Sequence, residues 1–142
     1  MLHTVADEID TLSSTSLLDG YADRLATVLA EVGRDTVADK TELDPETLST
    51  VAGGDVDALS LTDAAAILGL AEGYPDSEAI VLETRDHLLM GMTTAVLDVD
   101  AVAAELAVNL TGQEVQQAIE GRATLTLDEL AAIQAVIDSR EA

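Results

Sequence analysis

Three glutamines and one arginine in the second half of the chain have the side chains best suited to chemistry. Gln113, Gln116 and Gln117 are spaced so that a helix carries all three on one side, and Arg122 follows them. A glutamine amide can form two hydrogen bonds with adenine, and an arginine can hold a backbone phosphate. The pattern predicts contacts with double-stranded DNA. The alternative is that the glutamines are solvated residues of a helix surface.

A second set of candidate DNA contacts lies in the first half. Thr47 and Thr50 are candidates for base contacts, and Arg34 and Lys40 for phosphate contacts. Residues 44–52 contain two carboxylates and no arginine or lysine, and only the N4 amino group of cytosine favours a carboxylate. Six cations in the whole chain predict few phosphate contacts, which molar salt weakens further.

Residues that could support catalysis or metal binding are sparse. His3 and His87 are the only histidines, and there is no cysteine, whereas zinc requires several such ligands. Two Asp-x-Asp pairs, starting at Asp55 and Asp98, lack the rest of a calcium loop. The sequence contains no Gly-rich phosphate loop and no nucleophile motif. We therefore expect no enzyme activity, no catalytic or metal-binding residue and no cofactor.

Two blocks of sequence recur in the second half. Asp35–Ala38 returns as Asp100–Ala103, and Leu59–Ile67 returns as Leu125–Ile133, with five of nine positions identical in the longer block. A repeat at a fixed interval indicates that one structural unit occurs twice.

Helical periodicity and capping signals dominate both halves, and no sustained strand-like alternation occurs. The predicted helices cover residues 2–12, 17–32 after a Ser16–Asp19 capping box, a short helix from an Asp35 cap to residue 40, 45–52 after an Asp44–Pro45 start, 61–70, about 77–97, a helix from an Asp98 or Asp100 cap to residue 107, about 112–120, and 127–137. The apolar face predicted for the longest helix contains Val81, Leu82, Leu88, Leu89, Met92, Ala95 and Val96. The prediction is an all-α fold.

Charge is the most unusual feature of the composition. Acidic residues number 28 and basic residues 6, a net charge of −22, while 48% of residues are hydrophobic. High charge alone is typical of disorder, but the periodic apolar residues indicate a folded chain. We predict a halophilic protein, because molar salt shortens the Debye length to about 3 Å and permits such a surface. Acidity then counts only weakly against a nucleic-acid partner.

Targeting signals are absent from the sequence. No basic segment precedes an apolar one near Met1, and no window approaches the roughly 20 apolar residues of a membrane span. We expect a cytoplasmic protein with no membrane contact.

Small and apolar residues around the predicted turn before Asp44 follow a defined spacing. The small residue, the turn residue, two inward-facing residues and the closing glycine are Ala38, Leu43, Leu48, Val51 and Gly54. This spacing resembles the lambda-repressor-like (Xre-type) helix-turn-helix fold over about residues 17–70. The resemblance implies that Pro45–Ala52 is a recognition helix.

The second copy resembles the same fold over about residues 77–138. Its matching residues are Ala103, Leu106, Val108, Val115, Ala118 and Gly121. Two extra residues lie before Val115, in a longer turn, and alter how the second helix docks. The whole chain also looks like members of an uncharacterised family of small acidic haloarchaeal proteins, a resemblance that implies no function.

The predicted organisation is an N-terminal arm or short helix (1–16), a first helix-turn-helix-like module (17–73) and a second one (74–142), packed together. The leading hypothesis is a small DNA-binding transcriptional regulator. The alternative is a non-enzymatic module for protein–protein interaction or assembly, built from degenerate repeats.

The segment around Gly91 supports two interpretations. Core packing is the default for its apolar side chains. The alternative is a homodimer interface formed by Leu88, Leu89 and Met92, because methionine adapts to a partner and glycine permits close helix contact.

Overall fold

A computed structural model describes residues 2–8 and 13–141 of the chain. Over these residues the fold is all-α, as predicted. A 3₁₀ turn, His3–Glu8, precedes eight α-helices: α1 Ser14–Val32, α2 Arg34–Lys40, α3 Pro45–Ala52, α4 Leu61–Leu68, α5 Ser77–Thr94, α6 Val99–Glu105, α7 Gly112–Ile119 and α8 Leu127–Glu141. The sequence predicted a helix over residues 2–12, and the part of it that the structure describes is a 3₁₀ helix from His3 to Glu8. From here on we use the term N-terminal arm for residues 2–8. The rest of that predicted helix, residues 9–12, lies outside the described residues.

Aspartates cap several helices by accepting a hydrogen bond from the backbone three residues later. Oδ1 of Asp44 accepts from the amide of Thr47 at 2.8 Å, which confirms the predicted Asp44–Pro45 start of α3. Asp98 caps α6 in the same way at 2.8 Å, so the prediction resolves in favour of Asp98 over Asp100. Part of the acidic composition thus stabilises helix N-termini.

Two predicted caps are wrong. The start of α1 is capped by Ser13, which forms a capping box with Ser16, so Ser16 lies inside the helix as its third residue. Asp35 lies in the first turn of α2, and Gly33 precedes that helix without a side-chain cap. Gly33 instead ends α1 with φ of 93°, and its amide donates to Leu29 at 2.9 Å, so one glycine both ends α1 and begins α2.

The buried face of α5 also differs from the prediction. Its buried residues are Ile80, Thr84, Leu88, Gly91 and Met92, and the helix ends at Thr94. Of the residues predicted for the apolar face, Leu82, Leu89 and Val96 are exposed. Apolar residues occur on several sides of this helix, so periodicity alone did not identify the side that packs.

The two copies of the longer repeated block lie next to each other. Ser60 and Thr126, which occupy the same place in the two copies, form an isolated antiparallel bridge. The amide of Leu61 donates to Leu125 at 2.7 Å, and the amide of Leu127 donates to Leu59 at 2.8 Å. Only the central pair, Ser60 and Thr126, therefore faces its own counterpart. The residues on either side exchange partners, as expected around a two-fold axis.

Helix packing crosses between the two halves of the chain. The closest helix pairs include α1 with α8 and α4 with α5, so the first helix of each half packs on the last helix of the other. The buried apolar residues form a core that includes Leu25 and Leu29 of α1 as well as Ile133 and Ile137 of α8. The predicted boundary near residue 73 therefore does not separate two independent cores, and the two-module division stays a prediction.

No single helix among residues 2–8 and 13–141 is both long and apolar enough to cross a bilayer. The pair Ser77–Thr94 and Val99–Glu105 meets the length and composition criteria only when taken together, with a bend of 97° between the two helices.

Candidate interaction surfaces

The exposed face of α3, where the first set of DNA contacts was predicted, is acidic. Thr50 is exposed and Thr47 is half-buried, and both line a groove of about 360 Å³. The carboxylates that line the same groove are Asp44, Glu46, Asp55 and Asp63. The backbone hydrogen bond from Thr47 lowers the pKa of Asp44, which keeps that carboxylate charged. The face therefore repels a phosphate backbone.

The second predicted set of DNA contacts does come together on α7 and the loop after it. Gln113 and Gln116 are exposed, whereas Gln117 is half-buried. Nε2 of Gln116 donates to Oε1 of Glu120 at 2.9 Å, and the guanidinium of Arg122 lies 2.8 Å from Oε2 of the same carboxylate. The carboxylate of Glu120 thus binds both the amide of Gln116 and the guanidinium of Arg122. A DNA base or phosphate would have to displace this carboxylate to reach them.

The first-half cations lie apart on a short helix. Arg34 begins α2 and donates to Oγ of Ser49 at 3.3 Å, while Lys40 ends the same helix. Six residues of α-helix separate the two by about 9 Å along the axis. Both side chains are exposed. Lys40 lines a groove of about 630 Å³, but the carboxylates of Glu42, Asp63 and Asp76 line it as well.

The α5 helix presents apolar side chains to solvent. Leu82, Leu89 and Met90 are 61%, 47% and 70% exposed, and their spacing places them on one side of the helix. We call these three residues the α5 stripe. Leu88 and Met92, two of the predicted dimer contacts, are 0% and 8% exposed. They belong to the core of the chain and cannot contact a second molecule in this fold, so only Leu89 remains from that predicted set.

Helix α1 provides an internal reference for α5. Five of the six buried residues of α1 have a buried equivalent in α5 at a constant interval of 63 positions: Leu17 and Ile80, Tyr21 and Thr84, Leu25 and Leu88, Val28 and Gly91, Leu29 and Met92. The same interval places Asp19, Ala26 and Thr27 at the positions of the α5 stripe. The two helices therefore bury equivalent faces, but their exposed faces differ. Only α5 has large apolar side chains at these three positions.

A polar network joins both histidines to the interior. The rings of His3 and His87 stack with centroids 4.7 Å apart, and Nε2 of His87 lies 2.8 Å from Oδ1 of Asp138. Nε2 of Gln134 donates to Oδ2 of Asp138 at 3.0 Å and to the backbone oxygen of His3 at 2.8 Å. The buried hydroxyl of Tyr21 donates to Oε1 of Gln134. The side chains of this network hold the arm, α1, α5 and α8 together.

The sequence indicated only that His3 and His87 are too few to bind zinc, and it did not predict the network that they form with Asp138, Gln134 and Tyr21. The sequence signal for this network was Gln134, a polar residue that interrupts an apolar run. In the structure its side chain is 0% exposed. Burial, and then the charge of Asp138, raises the pKa of the Tyr21 hydroxyl, so it remains a neutral donor. Among the described residues, no group of three or more histidine, aspartate and glutamate side chains is arranged to hold a metal ion.

Comparison with known proteins places the chain in a family without assigning a role. Neither the curated proteins nor the solved structures gave a match. A family model described as "Family of unknown function (DUF5791)" matches residues 17–140, which leaves the N-terminal arm outside the match. Because that match covers most of the chain, the protein belongs to the DUF5791 family.

Proposed function

We propose that this chain is a non-enzymatic protein-interaction module that binds a partner through the α5 stripe. The observation that carries the proposal is the exposure of Leu82, Leu89 and Met90 on α5, where the equivalent positions of α1 are two polar residues and an alanine. Solvent-exposed leucine and methionine on one helix face are typical of helix-in-groove contacts and of adaptable binding surfaces. Because α5 exposes leucine and methionine where α1 does not, we expect the partner to bind the α5 side of the repeat.

Charge selects the kind of partner. The α5 stripe is bordered by the exposed carboxylates of Glu78, Glu83 and Asp86. The only arginine of α5, Arg85, lies against Gly121, where its guanidinium is 3.0 Å from the position of an added Cβ. It also lines a groove together with Leu82, so one cation stands among these carboxylates. A second copy would bring the same carboxylates and another charge of −22 against this face. A protein that surrounds an apolar face with lysine or arginine is electrostatically complementary, and we propose this class as the partner.

Site-specific crosslinking tests the stripe. A photo-reactive amino acid at Met90, in protein produced in a salt-adapted host, is expected to crosslink to a protein with a basic, apolar segment. Because the stripe supplies the binding energy, Leu82→Ser and Leu89→Ser together should reduce the crosslink about tenfold or more, corresponding to about 1.4 kcal/mol. The yield is measured by gel densitometry and the crosslinked peptide by mass spectrometry.

The control carries the same amino acid at Thr27, the α1 position equivalent to Met90. An identical product from Thr27 would show that the contact is nonspecific. A product containing only this chain would replace the proposed partner with a homodimer, and no product at Met90 would contradict the proposal.

DNA binding is the second candidate function, as a transcriptional regulator built from helix-turn-helix-like repeats. It is supported by the exposed Gln113 and Gln116 on the first turns of α7, with Arg122 nearby. Four residues join α2 to α3 and six join α6 to α7, so the second connection is two residues longer than the first. Helix α6 ends at Glu105, where the sequence predicted a helix to residue 107. The carboxylates beside α3 oppose this function, so base contacts would come from α7.

Selection from a random pool of double-stranded oligonucleotides tests this second candidate. If α7 reads bases, the protein enriches a defined motif, and Gln113→Ala with Gln116→Ala removes the preference, because each bidentate contact is worth about 1–3 kcal/mol of discrimination. The matched control, Thr47→Ala with Thr50→Ala on α3, should leave the motif unchanged. A pool that stays unenriched by the unaltered protein would eliminate sequence-specific DNA binding.

A further inference from the structure

Apolar packing and one hydrogen bond dock the N-terminal arm on α1. Leu2 and Val5 are 0% and 2% exposed. Val5 lies against α1 at Gly20, where an added Cβ would stand only 2.2 Å from Cγ1 of Val5. The guanidinium of Arg24 donates to Oγ1 of Thr4 at 2.7 Å. Gly20 therefore leaves the space that Val5 fills, so α1 has a packing site shaped for the arm.

His3 fastens the same arm to the opposite helices. Its ring stacks on His87 of α5, and its backbone oxygen accepts a hydrogen bond from Gln134 of α8. Nδ1 of His3 is buried and has no hydrogen-bond partner among the described residues. A proton on this nitrogen would therefore have no acceptor in the docked state, and burying an unpaired charged donor is costly.

We propose that the N-terminal arm is a pH-sensitive latch, docked while His3 is neutral and released when His3 is protonated. A protonated His3 would also stack on the ring of His87 with the centroids 4.7 Å apart, and the electrostatic effect of His87 opposes a positive charge on His3. Release uncovers the polar groups of Gln134 that His3 now contacts. The latch is separate from the α5 stripe and does not depend on the function proposed for that surface.

The charges that face His3 act in both directions. Burial lowers the pKa of His3 most, followed by the neighbouring His87 and the amino terminus, whereas Glu83 on α5 and Asp138 on α8 raise it. Arg24 on α1 contacts the arm at Thr4 and adds another cation on that side. Tyr21 stays neutral. The net effect is a lowered pKa, so the docked arm prefers the uncharged imidazole.

This direction determines the pH window. A histidine whose pKa is lower in the docked state than its ordinary value of 6.5 binds fewer protons when docked. Docking is therefore strongest above pH 6.5 and weakens as the pH falls from 6.5 towards the lowered pKa. Each unit between the two pKa values changes the ratio of docked to released arm about tenfold.

Distance measurements between spin labels test the latch in the full chain, which contains no native cysteine. Labels on Asp7→Cys in the arm and Asp23→Cys in α1 report docking, because both side chains are exposed. In constant molar KCl we expect one short distance at pH 8 and a growing population of longer distances towards pH 5.5. This range stays above the ordinary pKa values of carboxylates.

Two variants separate the latch from general unfolding. His3→Gln retains a hydrogen-bonding side chain but cannot be protonated, so the short distance should persist at pH 5.5. Gly20→Ala should release the arm at every pH because Val5 loses its packing site, while circular dichroism shows that the helices remain. The latch is refuted if the unaltered protein gives the same distances at pH 8 and 5.5, or if His3→Gln retains the full pH response.

Discussion

Replacing Leu127 with alanine is expected to destabilise both halves of the chain together. The Leu127 side chain is 0% exposed, and its amide donates to the backbone oxygen of Leu59 in the first repeat. Removing a buried leucine costs about 2–5 kcal/mol, a large part of the roughly 5–15 kcal/mol that stabilises a typical domain. Because α8 packs on α1, the loss should spread to the first half. Chemical denaturation gives its size, and amide exchange gives its distribution along the chain.

Matched substitutions sharpen this test. Leu61→Ala, at the equivalent place in the first repeat and 1% exposed, should give a loss of similar size. Leu82→Ala, on the exposed stripe, should change the free energy of unfolding by less than about 0.5 kcal/mol. If Leu127→Ala lowers amide protection only after residue 74, the halves are independent units and the shared core is not what stabilises them.

Lowering the salt concentration is expected to unfold the protein. A net charge of −22 on 142 residues repels itself, and the Debye length grows from about 3 Å at 1 M to about 30 Å at 0.01 M salt. We therefore expect the free energy of unfolding to rise by at least about 3 kcal/mol between dilute buffer and 2 M KCl, or by roughly 10 °C in Tm. Thermal melts followed by circular dichroism measure this directly.

A variant with fewer charges identifies the cause. Replacing the exposed Glu31, Glu42, Glu72 and Glu83 with glutamine changes the net charge from −22 to −18 and removes no helix cap. The variant should reach the same Tm at lower KCl, because less repulsion has to be screened. An equal Tm in 10 mM and 2 M KCl for the unaltered protein would contradict the proposal that its acidic surface is an adaptation to salt.

Local features of the sequence determined where several helices begin and where α1, α2 and α3 end, whereas the ends of α4 to α8 differ from the predicted ones by one to four residues. Asp44 followed by Pro45 predicted the start of α3, because capping depends on residues three or four positions apart. The predicted end of α1 at residue 32 is also the observed one, and Gly33 follows it directly. The repeat predicted that Leu59–Ile67 and Leu125–Ile133 are the same structural unit, and both blocks do begin a helix at Leu61 and Leu127. These features need no knowledge of what packs against the helix.

Only the tertiary structure decided which sides of those helices are covered. Leu82 and Leu88 are equally apolar, yet α4 and α8 pack on the side of α5 that contains Leu88 and leave Leu82 in solvent. The hydroxyl of Tyr21 meets Gln134 across 113 residues. The packing of Val5 against Gly20 likewise joins two elements that are separate in the sequence. Local periodicity limits the possible faces of a helix, but the burial of apolar surface between remote elements selects one of them, and that selection created the α5 stripe and the histidine pair.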